Sequence, residues 1–579
     1  MTMFPQSTEF ASASNSATPS SSARYTPVSD KTDDAPSYSH SRRPEKGSLR
    51  VQTDFESADN TDFSDIFSDD DDDENYNGYN SGPELRENKP SRTRSSLEYS
   101  AAEEAQVVRK FDRKLVPFLA LLYLLSFLDR SNIGNAKVAG LTDDLDIPSW
   151  KYEWLLTAFY ITYVLFEWMT LMYRLVSPHI YVSLCVCGWG LVASFQSLAT
   201  SFEAMLVLRM LLGVTEAAFG PGVPFYLSLF YKREELAFRI ALFISAAPLA
   251  TSFASTLAWV IVKLSHDGPI APWRTLFLVE GFPSVVAAVF AWALIPDSPE
   301  KAHFLAPRER TVAELRLERN RKAGAYRDPQ KGKFNWQEVR KTLADPKAYI
   351  TAFMFFSCNI AFSSMPVFLP TIIKDMGYSS LASQALSAPP FLVAFVVVLV
   401  TTYFSDRNRT RSPYLIIHAL LSSISYLAIA ATGHFHTHFS TKTHVVIRYL
   451  CIYPATSGFF SAISLILAWT MDNRVANEGK GTSVAILNLI GQCGPLLGTR
   501  LYPESDGPWY VRGMVVCSFF MLLVAFLAFG LRIILQRANR AGTGDGMDIE
   551  METRGEEREV LMGDHGAEHI QEQRFTYLL

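Results

Sequence analysis

Cysteine is scarce. Six occur in 579 residues, at positions 185, 187, 358, 451, 493 and 517, all within apolar runs. That placement excludes a disulfide framework, and no zinc-type spacing is present, so the expected metal ligands are none. A nucleophile–base set and a glycine-rich phosphate loop are also missing, which argues against an enzyme and against a bound cofactor. No basic stretch leading into an apolar one opens the chain, so no cleavable signal is expected. Charged residues are only 19% of the chain against 48% hydrophobic, and they are unevenly placed. Residues 1–108 are rich in Ser, Asp, Asn and Pro, and they carry an acidic run from Asp69 to Glu74. The formal net charge of −5 is set partly by that run and makes no case for nucleic-acid binding. Such a segment buries too little apolar surface to offset its ordering entropy, so 1–108 is expected to be a disordered arm. A solvated tail and, given the nearby Ser clusters, a regulated one both fit.

What the chain has in abundance is apolar segments long enough to cross a bilayer, about 20 residues for a ~30 Å hydrocarbon core. They fall at 115–136, 152–173, 180–200, 204–229, 237–264 and 274–295. A second set lies at 348–371, 384–404, 413–432, 445–470, 481–500 and 512–535. The expected fold is therefore an all-α membrane protein with twelve transmembrane helices in two six-helix halves and disordered termini. Its parts are an arm (1–108), a first half (115–295), a basic central loop (296–347), a second half (348–535) and a tail (536–579).

Loop charge sets the orientation. Arg109, Lys110, Arg113 and Lys114 precede span 1, Lys232, Arg233 and Arg239 follow span 4, and Arg407, Arg409 and Arg411 follow span 8. Asp143, Asp144 and Asp146 follow span 1 on the other side. Both termini are expected to be cytoplasmic, in a multi-pass protein of the plasma membrane. The central loop fits this, with Arg316, Arg319, Arg321, Lys322, Lys331 and Lys333. Within it, Phe334, Trp336, Val339 and Leu343 fall near helical spacing and suggest a short helix on the interface.

Charges inside the spans are costly and usually face a cavity. Asp129 and Arg130 lie within span 1, roughly 21 Å from its cytoplasmic end at 1.5 Å per residue. Arg209 in span 4, which runs the other way, comes to a similar depth. Glu216 follows Arg209 by seven residues, nearly two turns, so both share one face about 10 Å apart. Glu167 in span 2 falls in the inner third. A poorly solvated carboxyl can load and unload protons, and a guanidinium can hold a carboxylate or sulfonate. Asp129, Glu216, Arg130 and Arg209 thus suit proton-coupled anion transport. Asp129–Arg209 and Arg130–Glu216 equally suit permanent ion pairs that fix helix packing.

The amides Asn132, Asn135, Asn488 and Gln492 are accessory candidates, as substrate contacts or as interhelical glue. Pro221 and Pro224 suggest a kink in span 4. His434, His436 and His438 read as solvated loop residues rather than a metal site. Glu557-x-x-x-Leu561-Met562 has the form of an acidic sorting signal, a pattern common by chance.

The stretch SFLDRSNIGNAKVAGL (126–141) resembles the first-helix signature of the major facilitator superfamily, and more narrowly its anion:cation symporter family. LRMLLGVTEAAFGPGVPFYLSLFYKREELAFRIALF (208–243), WRTLFLVEGFPSVVAAVFAWALIPDSPEKAHFL (273–305) and YPESDGPWYVRG (502–513) are similar to the fungal allantoate, nicotinate and pantothenate permeases. The resemblance covers about 115–535. It implies an alternating-access importer that works as a single chain and uses the proton gradient in place of a cofactor. By resemblance, Asp129 and Glu216 couple protons, Arg130 and Arg209 serve binding or coupling, and Asn488 contacts substrate. FEWMTL (166–171) departs from the family's Phe-Glu-x-Pro-Ser-Asn, and YRLVSPH (173–179) has lost the basic gate motif that SDRNRTR (405–411) keeps.

The expected partners are a small anionic substrate, protons and the lipid bilayer. A vitamin, a ureide or another carboxylate suits the charges, as does a sulfonate or sulfate. Export of drugs or metabolites is the second reading, although span 5, ISAAPLATSFASTLAW (244–259), lacks the exporters' Gly-Pro motif. A non-transporting nutrient sensor is the third, motivated by the long arm and the degraded first gate loop.

Overall fold

The computed structural model describes residues 99–264, 268–324, 336–438, 440–473, 477–560 and 577–579. Among them it is wholly helical. The first half comprises α1 (Ala101–Val138), α2 (Ser149–Phe166), α3 (Pro178–Phe195), α4 (Phe202–Glu216), α5 (Phe219–Ser228), α6 (Arg233–Leu264) and α7 (Pro272–Leu294). Two helices, α8 (Pro307–Gly324) and α9 (Trp336–Ala344), lie in the central segment. The second half comprises α10 (Pro346–Asp375), α11 (Ser380–Arg407), α12 (Ser412–His434), α13 (Thr441–Asp472), α14 (Asn477–Gly491), α15 (Gly494–Gly498) and α16 (Val511–Val560). Eight of these helices are long and apolar enough to cross a membrane unaided. The remaining expected spans correspond to α1, α2 and the broken pairs α4–α5 and α14–α15.

The bundle has one end where α1 begins and α16 departs, here the terminal end, and an opposite end where α1 finishes. The first turns of α1 correct one expectation. Residues 101–108, assigned by composition to the disordered arm, are helical. Ser100 Oγ accepts from Glu103 N at 3.2 Å while Ser100 N donates to the Glu103 carboxylate at 2.8 Å, a capping box that satisfies two otherwise orphaned donors. Val107 is then fully buried. Similarly, α16 runs to Val560, past the expected start of the tail at 536. The rest of the arm and the 557–562 pattern from Leu561 onward lie outside the described residues.

The central segment is less of a loop than its charge suggests. Arg316 on α8 is fully buried, donating to the Phe230 carbonyl at 3.0 Å and pairing with Glu104 and Glu235. Lys110 pairs with Glu309 at 2.6 Å. Burial pushes the Glu104 carboxyl up, but Lys232 and Arg316 outweigh it and hold it below its ordinary value. These contacts fasten α8 to the terminal end of the first half. The expected short helix of the central segment forms as α9, with Trp336 and Leu343 exposed. Phe334, Lys331 and Lys333 lie outside the described residues.

Prolines explain both helix breaks. Pro221 has no N–H to offer the carbonyl of Ala217, four residues back, and α4 gives way to α5 at Ala217–Ala218. Pro495 likewise leaves the Gly491 carbonyl free between α14 and α15. That oxygen is taken by Asn359 Nδ2 of α10 at 3.0 Å, so a proline break becomes an interhelical hydrogen bond. At Phe166–Glu167, α2 tightens into a 3₁₀ helix that continues to Arg174, within the stretch that departs from the family pattern.

The two halves are sealed together at the opposite end. Thr157 and Thr499 hydroxyls meet at 3.0 Å, Lys137 pairs with Glu504 at 2.8 Å, and Gln384 Nε2 donates to the Asn135 carbonyl at 3.4 Å. Gly134 of α1 also lies against the backbone of Val367 of α10, so closely that a Cβ would stand 2.2 Å from the Val367 carbonyl oxygen. By contrast, the ion pairs Arg239–Asp112 and Arg411–Asp472 at the terminal end each stay within one half.

Candidate functional site

The charges of α1 and α4 come together inside the first half. Arg130 donates through Nη2 at 2.8 Å and Nε at 3.2 Å to Glu216 Oε2, which also accepts from Ser126 Oγ at 2.9 Å. Glu216 is fully buried. Three rings, those of Tyr163, Phe159 and Phe127, surround the Arg130 guanidinium at 4.8, 5.2 and 5.7 Å. A weakly hydrated planar cation suits such an aromatic collar. Glu216 is the last residue of α4, so the break that follows it gives this carboxylate its place at a joint between two helices.

Of the two ion pairs that sequence spacing allows, one forms. Asp129 does not pair with Arg209. Its Oδ2 accepts from Ser284 Oγ of α7 at 2.9 Å, while Oδ1 finds no hydrogen-bond partner among the described residues. Arg209 donates through Nη2 to the Arg130 carbonyl at 3.3 Å and lies 5.3 Å from the Phe159 ring, but its Nε and Nη1 find no hydrogen-bond partner among the described residues. The reason is rotational. Adjacent residues on a helix point about 100° apart, so Asp129 faces α7 when Arg130 faces α4.

A narrow cavity of about 40 Å³ lies between the halves. Arg130, Tyr123, Tyr160 and Tyr163 line it from the first half, and Phe355, Phe362, Asn359, Asn488 and Gln492 line it from the second. Arg130 is thus the full charge on its wall. Asn488 and Gln492, one turn apart on either side of the α14 terminus, both reach it. Asp129, Glu216, Arg209, Asn132, Asn135 and Glu167 are not among the lining residues. Among the described residues, neither amide atom of buried Asn132 has a hydrogen-bond partner, nor does the buried Glu167 carboxylate.

Glu280, Ser284, Ser126 and Asn359 were not singled out from sequence. Glu280 of α7 is 1% exposed and neither of its carboxyl oxygens has a hydrogen-bond partner among the described residues. It precedes Ser284 by four residues, hence on the same helix face as the hydroxyl that binds Asp129. Its position within span 6 was a usable signal, since an acid in an apolar span is by default a functional candidate. Ser126 and Asn359 carried no such signal, because small polar residues are common in buried helices.

A helical membrane bundle of two halves, with a charged cavity between them and hydrogen bonds and an ion pair joining them at one end, is the architecture of an alternating-access carrier. The model of the Major Facilitator Superfamily matches residues 119–499, and the chain belongs to that family. It is therefore a multi-pass membrane transporter and not an enzyme. An uncharacterized transporter of Schizosaccharomyces pombe is 30% identical over 443 residues, covering 76% of this chain and 88% of its own. The high-affinity nicotinic acid transporter of Saccharomyces cerevisiae is 29% identical over 437 residues, covering 75% and 79%. Among solved structures, the proton:xylose symporter XylE superposes with a TM-score of 0.53 over 73% of this chain and 95% of its own, at 13% identity, and so shares the fold.

Proposed function

We propose that the protein imports a small organic monocarboxylate, with a proton as the coupled ion, through the cavity at Arg130. The observation that carries this is one guanidinium serving two masters: Arg130 lines the cavity and at the same time neutralises buried Glu216. A substrate carboxylate that engages Arg130 competes with Glu216 for it. A buried carboxylate deprived of its cation is expensive, so Glu216 takes up a proton from water as the substrate binds and becomes a neutral carboxylic acid. Release of substrate on the other side restores the ion pair and expels the proton. Asp129 and Glu280, around Ser284, form a second place where a proton is held away from the cavity.

The walls narrow the substrate. Tyr123, Tyr160, Tyr163, Phe355 and Phe362 favour an aromatic or amphipathic body over sulfate, whose charge would be desolvated without compensation. Asn488, Gln492 and Asn359 supply hydrogen bonds to its polar edge. The relative that transports nicotinic acid makes nicotinate the first probe. The loop charges favour termini on the cytoplasmic side of the plasma membrane, with the chain acting as a monomer.

The test is uptake of radiolabelled nicotinate and of a panel of aromatic and aliphatic monocarboxylates by cells expressing the chain, at pH 5 and pH 7.5. Acid-stimulated accumulation is expected for at least one, and loss of accumulation in Asp129→Asn. If no anion accumulates at either pH, import is wrong, and a sensor reading then requires signalling that survives Asp129→Asn. Asn488→Ala should raise KM by up to about tenfold, the loss of one hydrogen bond to the substrate's polar edge, with little change in maximal rate. An unchanged KM would remove Asn488 from the substrate site.

A further inference from the structure

Far from the cavity, at the terminal end of the second half, the segment Tyr577–Leu579 lies in a groove built by four helices. Asn539 of α16 holds both main-chain polar groups of Tyr577: its Oδ1 accepts from Tyr577 N at 2.9 Å and its Nδ2 donates to Tyr577 O at 3.0 Å. Asn473, at the end of α13, repeats the pattern on the next residue, with Oδ1 accepting from Leu578 N at 2.7 Å and Nδ2 donating to Leu578 O at 3.2 Å. Trp469 Nε1 adds a second donor to Leu578 O at 2.8 Å. The Leu579 main-chain oxygen accepts from the backbone N–H of Arg411 at 2.6 Å and of Ser412 at 3.4 Å, at the N-terminus of the 23-residue helix α12. Lys347 of α10 donates to the Tyr577 hydroxyl at 3.1 Å and sits 4.4 Å from its ring centroid.

We propose that this groove is a peptide-binding seat whose ligand is the chain's own Tyr577–Leu579 segment, and that occupancy ties the terminal ends of α10, α12, α13 and α16 together. Two side-chain amides, each reading the N–H and C=O of one of two successive residues, make a recognition device for an extended backbone, in the way a sheet edge recognises an added strand. The lysine selects an aromatic side chain at the first position. Nothing in such a set is needed to fold the bundle helices themselves, because each contact ends on the segment. The groove also borders the polar cluster of the expected gate loop. The Arg411 side chain binds Asp472 at 3.1 Å and Ser405 Oγ at 3.0 Å and pairs with Asp406, and Asn473 follows Asp472 directly. Seating the segment therefore couples the last helix of the chain to the loop between α11 and α12. The reach is ample. Residues 561–576 separate the segment from α16, and that many residues can span up to about 55 Å.

The experiment is hydrogen–deuterium exchange and thermal melting of the full chain in detergent, which is independent of any transported substrate. The Tyr577 and Leu578 amides should exchange at least ~10-fold more slowly than in the free peptide, because each opening must release them from Asn539 and Asn473. Asn473→Ala with Asn539→Ala should abolish that protection and lower Tm by about 2 °C or more. Leu578→Pro changes only the ligand, removing the N–H that Asn473 accepts, and should lower Tm by the same amount. Combining the seat and ligand changes should add nothing further, since both break one interaction. Exchange at the free-peptide rate in the unaltered chain would overturn the proposal, as would a Leu578→Pro variant with unchanged Tm.

Discussion

Glu216→Leu should abolish uptake and destabilise the protein by about 3–5 kcal/mol, because it strands Arg130 as an uncompensated charge in a buried site. Arg130→Met should do the same from the other side, leaving Glu216 fully buried with only Ser126 as a donor. The informative variant is the double one. Arg130→Met with Glu216→Leu replaces a buried pair by apolar groups of similar size, which is commonly neutral or stabilising. Its Tm should therefore return to within a few degrees of the parent while uptake remains at background. That split separates the two readings of the pair. A purely structural ion pair predicts that stability and uptake recover together, so a transporting double variant would sink the role assigned to Arg130. Thermal melting and labelled-anion uptake on the same membranes read both quantities.

The second large effect concerns the seal rather than the charge. In Gly134→Ala the new methyl would stand 2.2 Å from the Val367 carbonyl oxygen and 2.9 Å from the Val367 Cα, atoms of a helix backbone that cannot rotate away. The clash exists only while α1 and α10 are in contact, that is, while the opposite end is closed. The substitution should leave each half folded but shift the population away from the sealed state. A cost of about 1.4 kcal/mol on that state is already tenfold in population, and uptake should fall at least that far. Gln384, fully buried at the seal in this state, reports the shift. A cysteine placed there should react faster with a membrane-impermeant maleimide in Gly134→Ala than in the parent. Equal labelling and normal uptake would show that the contact is not a gate. Gly213→Ala is the control. Its Cβ would meet Thr162 Oγ1 and the Phe159 carbonyl inside the first half, so it should reduce stability without favouring either state.

The departures from expectation share a cause. Ala101–Val108 was read as part of a disordered arm because residues 1–108 were judged by their composition as a whole, yet composition ignores a four-residue signal, Ser-x-x-Glu at 100–103, that starts a helix. Arg316 was read as one of many basic loop charges, and it is buried because Glu104 and Glu235, more than 80 residues away at either separation, converge on it. Asp129 was offered to Arg209, and the sense in which one helix is rotated against the next gave it to Ser284 instead. Tyr577–Leu579 fell within the tail at 536–579, and no local pattern announces that Asn473 and Asn539 are spaced to hold it.

The amino-acid sequence by itself determined the class of molecule: the number of long apolar runs, the six-and-six division about a basic segment, and the handful of ionisable residues that water-free surroundings make too costly to be incidental. These are properties of single segments, and the bilayer imposes them one segment at a time. The tertiary structure decided everything that depends on rotation and contact between segments. It made Arg130 the charge on the cavity wall and Asp129 its concealed neighbour, added Glu280, Ser284 and Asn359 to the site, and chose the end at which the halves close. Spacing along a helix fixes which residues share a face, but only packing fixes what that face meets.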